Sequence, residues 1–133
     1  MATILKLKEG IRFQMGAGDT RKIVYPEMGA KNLTLNYIVF GPGHEFPQHD
    51  HNESEDVFVV LEGSGVLKQG TTMRPIKAGD VVFVPAGEIH GTVAGPEGMV
   101  CISCQAPPDR KLYSGERDSG AKPPRQAKSR RLK

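Results

Sequence analysis

Three of the chain's four histidines sit where they could act together: His49, His51 and His90. His49 and His51 are two residues apart, so on an extended strand both imidazoles leave the same face. A carboxylate follows at Glu55 or Asp56, just where the apolar run VFVVL begins. His90 closes the stretch GDVVFVPAGEIH, residues 79–90. Two same-face histidines, a carboxylate across a tight turn and a histidine from another strand make a mixed nitrogen and oxygen donor set. Such a set suits a divalent transition-metal ion. Three or four protein ligands leave positions for water, a substrate or dioxygen. No glycine-rich phosphate loop, serine–histidine–aspartate order or zinc-finger cysteine spacing competes with this reading.

The elements that must position these groups read as short strands. Gly and Pro make 16 and 10 of the 133 residues, too many for a helical bundle. β-branched and aromatic runs recur at Thr34–Phe40, Val57–Leu61, Val66–Gln69, Val81–Val84 and Val100–Gln105, each closed by glycine or proline. Gly63-Ser64-Gly65 reads as the turn between two of these runs. Thr3–Leu7 and Lys22–Tyr25 read as peripheral strands. The expected class is all-β, a sandwich or closed barrel.

The spacing then becomes specific. Gly43, His49, His51, an acid at 55 or 56, and Gly63 form one motif; Gly79, Pro85, Gly87 and His90 form a second. The pair resembles the two motifs of small single-domain cupins, the double-stranded β-helix or jelly-roll barrel family. Ala94 stands where the family's second motif carries Asn. Counting back from Gly63 by the family spacing reaches Asp56, whereas counting forward from His51 reaches Glu55. Asp56 is the preferred ligand and Glu55 the alternative. The resemblance implies one divalent ion (Fe, Mn, Ni, Zn, Co or Cu) held by His49, His51, His90 and Asp56 or Glu55 inside a barrel pocket.

Phe58 and Val60 share a face with Asp56 on a regular strand and are candidates to line that pocket, with Tyr37 and Gln105. His44 reads as a loop residue, and Asp50 and Glu53 as solvated groups or partners orienting an imidazole. The resemblance further implies a small-molecule metalloenzyme, an oxygenase or dioxygenase first, otherwise a decarboxylase, isomerase or lyase. The alternative is a non-catalytic small-molecule-binding or sensor cupin. It also implies a homodimer, with Thr3–Leu7 as an exchanged or packed strand.

Charge divides the chain. Residues 1–106 carry 9 basic and 12 acidic side chains, residues 107–133 carry 9 basic and 3 acidic, and the total is +3. The organisation expected is N-terminal peripheral strands over 1–29, a barrel over 30–106, and a basic tail over 107–133, disordered from about 119. Residues 119–133 have no aromatic platform for bases, so a nucleic-acid partner is not expected. No apolar run is long enough to span a membrane, and Cys101 and Cys104 would face opposite sides of one strand. The expected compartment is the reducing cytoplasm.

Overall fold

The structure is a computed structural model that describes residues 1–13 and 18–109. Its described residues form eight antiparallel strands: β1 (Ile11–Phe13), β2 (Asp19–Val24), β3 (Thr34–Phe40), β4 (Glu45–His49), β5 (Glu55–Gln69), β6 (Thr72–Lys77), β7 (Val81–Val84) and β8 (His90–Ala106). β5 and β8 are the spine. They pair with each other along most of their length. β5 also pairs with β7 through residues 56–59 and with β6 through residues 64–69. β8 pairs with β4 near its start and with β3 near its end. β2 and β1 extend the sheet beyond β3.

Glycine explains how two long strands serve both halves. The register between β5 and β8 shifts between Gly63 and Gly65, where β8 passes from Met99 to Ala94. Gly63 and Gly98 both have positive φ, at 79° and 81°, a region open to glycine. A side chain on Gly63 would collide with the carbonyl of Gly98. The strands bend here without breaking their pairing, so Gly63-Ser64-Gly65 is an irregularity inside β5 and not the expected turn. The hairpin turn comes at Gly70, with φ of 63°.

Alternation fixes the inner face. Ile38, Phe40, Phe58, Val60, Leu67, Ile76, Val84, Ala94, Met99 and Cys101 form the core cluster. Their partners in register on the other parity, including Val57, Val59 and Ile102, are only half-buried. Phe83 and Val81 pair with Val57 and Val59 and are 56% and 64% exposed. The outer face of β3, β8, β5 and β7 is therefore apolar and partly open.

Two sequence expectations change. Thr3–Leu7 forms no strand; residues 1–6 have no regular structure, and Leu7–Glu9 make one 3-10 turn. The body also continues past Ala106, because Pro107 accepts a 2.5 Å hydrogen bond from the buried Ser54 hydroxyl. The expected disordered tail from about 119 lies outside the described residues. No helix among the described residues is long and apolar enough to cross a membrane.

Candidate metal centre

β4, β5 and β8 bring the donors together at their ends. His49 is the last residue of β4 and pairs directly with His90, the first of β8. Asp56 is the second residue of β5 and pairs with Gln105 near the end of β8. His51 lies in the short connection between β4 and β5, beyond which residues 52–54 turn the chain. One donor atom from each of His49, His51, Asp56 and His90 lies within 4.8 Å of all the others. Opposite ligands on one ion with bonds of about 2.1 Å are about 4.2 Å apart, so the donors are nearly at coordinating separation.

The approach of β4 to β8 depends on Gly91. The β4–β8 register is irregular between Phe46 and His49, placing Pro47 and Gln48 against Gly91. A Cβ at Gly91 would lie 2.8 Å from the Phe46 carbonyl oxygen and 2.8 Å from the Gln48 nitrogen. Gln48 is in turn pinned to the β5–β6 turn, accepting from the Gly70 N–H at 2.7 Å and donating to the Gly70 carbonyl at 3.1 Å. The Phe46 ring packs 4.4 Å from the His49 ring.

Each imidazole is held by its Nδ1 atom. His49 Nδ1 lies 2.9 Å from the Pro47 carbonyl, and His90 Nδ1 lies 3.0 Å from the Glu88 carbonyl. His51 Nδ1 lies 2.7 Å from Asp109 Oδ2. Carbonyls and carboxylates only accept, so all three Nδ1 atoms carry the proton. That turns the three Nε2 atoms toward the cluster, where those of His51 and His90 donate to Asp56 and would give up that proton to ligate a metal. The ring centroids are 4.4 to 5.6 Å apart, and His51 and His90 are almost fully buried.

Asp56 is the hub. Its Oδ2 lies 3.0 Å from His90 Nε2 and 3.3 Å from His51 Nε2. Its Oδ1 accepts from the Gln105 amide at 3.3 Å. Burial opposes the Asp56 charge, but hydrogen bonds from His51 and His90 outweigh it and hold the carboxyl well below its usual range. Burial likewise opposes charge on His51, yet its bonds to Asp109 and Asp56 raise it to about 9. His49 goes the other way, pushed well down by burial and by repulsion from His90 and His51. A site that concentrates negative charge on one carboxylate beneath three imidazoles is built to receive a cation.

The structure places Asp56, and not Glu55, among the histidines. Neighbours on a strand face opposite ways, and Glu55 is exposed. Phe58 and Val60 follow Asp56 on the inner face as buried core. Gln105 touches the site directly, its amide nitrogen also 3.3 Å from His51 Nε2. Tyr37 does not join it. Tyr37 pairs with Ile102, whereas Gln105 and Ser103 belong to the opposite face of β8. His44 lies outside the cluster, its Nδ1 accepting from the Gly41 N–H at 3.1 Å. Asp109, Phe46 and Gly91 were not legible as site residues; Asp109 sits in a proline-rich basic stretch whose composition points away from the fold.

Comparison with known proteins agrees with this architecture. The chain is 38% identical over 73 residues to the dimethylsulfoniopropionate lyase DddW of Ruegeria pomeroyi, covering 55% of this chain and 47% of that protein. It spans less than half the length of the first curated relatives it matches, which also include germin-like and auxin-binding proteins. Among solved structures, the polyketide cyclase RemF of Streptomyces resistomycificus superposes with a TM-score of 0.67 at 26% identity, covering 91% of this chain and 98% of that one. KdgF of a Halomonas species superposes at 0.72 with 16% identity, covering 84% and 99%, a likeness of fold. The cupin-domain family model matches residues 36–103, which run from within β3 to within β8 and contain every candidate ligand. With its two bent spine strands and three imidazoles around one carboxylate, the chain belongs to the cupin family.

Proposed function

We propose that this protein is a metal-dependent enzyme that cleaves a bond in a small carboxylate-bearing substrate, a lyase in reaction class. The observation that carries this reading is the convergence of three tethered Nε2 atoms with Asp56 and the Gln105 amide. His49, His51, His90 and Asp56 are the residues that would hold the ion. When bound, it would supply Lewis-acid charge to a substrate oxygen and stabilise negative charge developing beside it. The chain's own contribution is orientation and dryness. Three Nδ1–H bonds aim the rings, and Phe58 and Val60 wall one side with buried hydrocarbon.

The relative named as a lyase supports bond cleavage without oxidation, and its named substrate is a small carboxylate bearing a dimethylsulfonio group. One observation favours the oxygenase expected from the sequence: histidine and carboxylate donors also suit redox-active iron. Turnover assays with dimethylsulfoniopropionate and a panel of small carboxylates, run with and without oxygen, separate the two. Turnover without oxygen that is lost in His90→Ala supports the lyase. Turnover only with stoichiometric oxygen uptake overturns it in favour of the oxygenase. Ligand binding without turnover overturns it in favour of a non-catalytic sensor or carrier.

A homodimer belongs to the same proposal. The apolar outer face around Val57, Val59, Val81 and Phe83 is a surface that a second copy could cover with its own. A monomer in light scattering at micromolar concentration would overturn it. The reducing cytoplasm is likewise proposed, in keeping with the two free thiols Cys101 and Cys104.

A further inference from the structure

Four side chains form a closed ring of hydrogen bonds through the candidate centre. Asp109 Oδ2 meets His51 Nδ1 at 2.7 Å. His51 Nε2 meets Asp56 Oδ2 at 3.3 Å. Asp56 Oδ1 accepts from Gln105 Nε2 at 3.3 Å. Gln105 Oε1 accepts the Asp109 backbone N–H at 2.6 Å, which closes the ring. Asp109 is therefore bonded twice, by its carboxylate to one candidate ligand and by its backbone to the residue that touches another. The Asp109 side chain is only 9% exposed, although it follows the last strand by three residues.

His51 differs from its two companions. His49 and His90 are oriented by carbonyls two residues away in their own backbone. His51 is oriented by a carboxylate 58 residues away. It also lies in a connection and not on a strand, its backbone carbonyl accepting from the Gly87 N–H at 2.9 Å. A ring so placed needs an external partner to hold one tautomer and one rotation.

We infer that Asp109 is a positioning residue: its carboxylate holds the His51 ring with Nδ1–H outward and Nε2 aimed at Asp56, so the segment after the last strand completes the site. This deepens the metal reading above and rests on it for its consequence. The carboxylate reaches the far side of the ring from the cluster, and Asp109 is not one of the four converging donors. A carboxylate behind a ligating histidine fixes the ring and makes the ligand a better donor, and losing it weakens metal affinity by about 10- to 100-fold.

The test uses the full chain and two readouts. In the first, Zn and Co affinities are measured by competition with a chromophoric chelator for wild type, Asp109→Ala, Asp109→Asn and Ser54→Ala. Asp109→Ala is expected to weaken binding by about 10- to 100-fold, and Asp109→Asn, which keeps an oxygen acceptor, by less. Ser54→Ala removes a separate tether of the same segment, the bond to the Pro107 carbonyl, and is expected to bind as wild type. Equal losses in Asp109→Ala and Ser54→Ala would mean that docking of the segment, not the carboxylate, matters, and would overturn the inference. So would an Asp109→Ala variant with wild-type affinity. The second readout needs no metal: nitrogen-resolved NMR of the metal-free protein should show a downfield, slowly exchanging His51 Nδ1–H that disappears in Asp109→Ala. A wild type that binds neither ion defeats the metal reading alone. Absence of that Nδ1–H signal, or its persistence in Asp109→Ala, defeats the positioning role whatever the metal result.

Discussion

Gly91→Ala puts the geometry of the site to a quantitative test. The added Cβ would lie 2.8 Å from both the Phe46 oxygen and the Gln48 nitrogen and 2.9 Å from the Gln48 Cα, where ordinary contact begins at 3.4 Å. All three atoms are backbone, so no side-chain rotation relieves the clash, and β4 must retreat from β8 by about half an ångström. Gln48 immediately precedes His49, and metal ligands tolerate only about 0.2 Å of misplacement. Zinc affinity should therefore fall by at least about 10-fold. Overpacking should cost about 1–3 kcal/mol, less a few tenths recovered from the stiffer unfolded chain. At about 4 °C per kcal/mol for a chain of this size, the metal-free Tm should drop by several degrees. Gly29→Ala is the control, because Gly29 has φ of 105° and nothing within 4 Å of its added Cβ. It should cost about 1 kcal/mol of left-handed strain and leave zinc affinity unchanged. If Gly91→Ala kept both the Tm and the zinc affinity of wild type, the close approach of β4 to β8 would be wrong, and with it the pairing of His49 and His90.

Three further outcomes follow from the same geometry. Asp56→Asn should weaken metal binding by at least about 10-fold, whereas Glu55→Gln, on the opposite face, should bind as wild type; chelator competition measures both. Zinc at a hundred times its Kd should raise stability by about 2.7 kcal/mol, seen as a rise in Tm of about 10 °C that EDTA removes. In EDTA, stability should depend on pH in two opposed ways. His51 has a folded pKa raised to about 9 from 6.5, so its contribution is complete below 6.5 and is lost as pH rises through 9. That loss is at most about 3 kcal/mol. His49, held well below 6.5, acts oppositely: the unfolded chain takes up its proton first, so stability falls as pH drops below 6.5. The metal-free Tm should peak near pH 6–7, and a flat profile from pH 6 to 9 would contradict the ion pairs around His51.

Particular residues show why some of this was legible in sequence. Val81–Val84 is an uninterrupted β-branched and aromatic run and Thr34–Phe40 is dominated by such residues, and β7 and β3 occupy them. Glu45–His49 and Thr72–Lys77 hide as strands because they contain Pro47 and Pro75, and Thr72–Lys77 also faces solvent over most of its length. The glycines at 63 and 65 signal a break in periodicity, but positive φ at Gly63 bends a strand that keeps its partners. The His-x-His pair and the third histidine were readable because ligand chemistry restricts residue type. Choosing Asp56 over Glu55 needed the spacing to Gly63 and the alternation of β5. Asp109 could not be found this way, because its importance comes from a contact across 58 residues and its neighbours belong to a basic, proline-rich stretch.

The central claim is that four side chains of this chain form one metal centre. The most direct test is elemental analysis of protein purified without chelator, paired with titration of the stripped protein against Fe, Mn, Ni, Co, Cu and Zn. The account predicts one divalent ion per chain, removed by EDTA and bound at least about 10-fold more weakly by His90→Ala. No stoichiometric binding of any of the six ions, or binding that His49, His51, Asp56 and His90 substitutions leave unchanged, would contradict it.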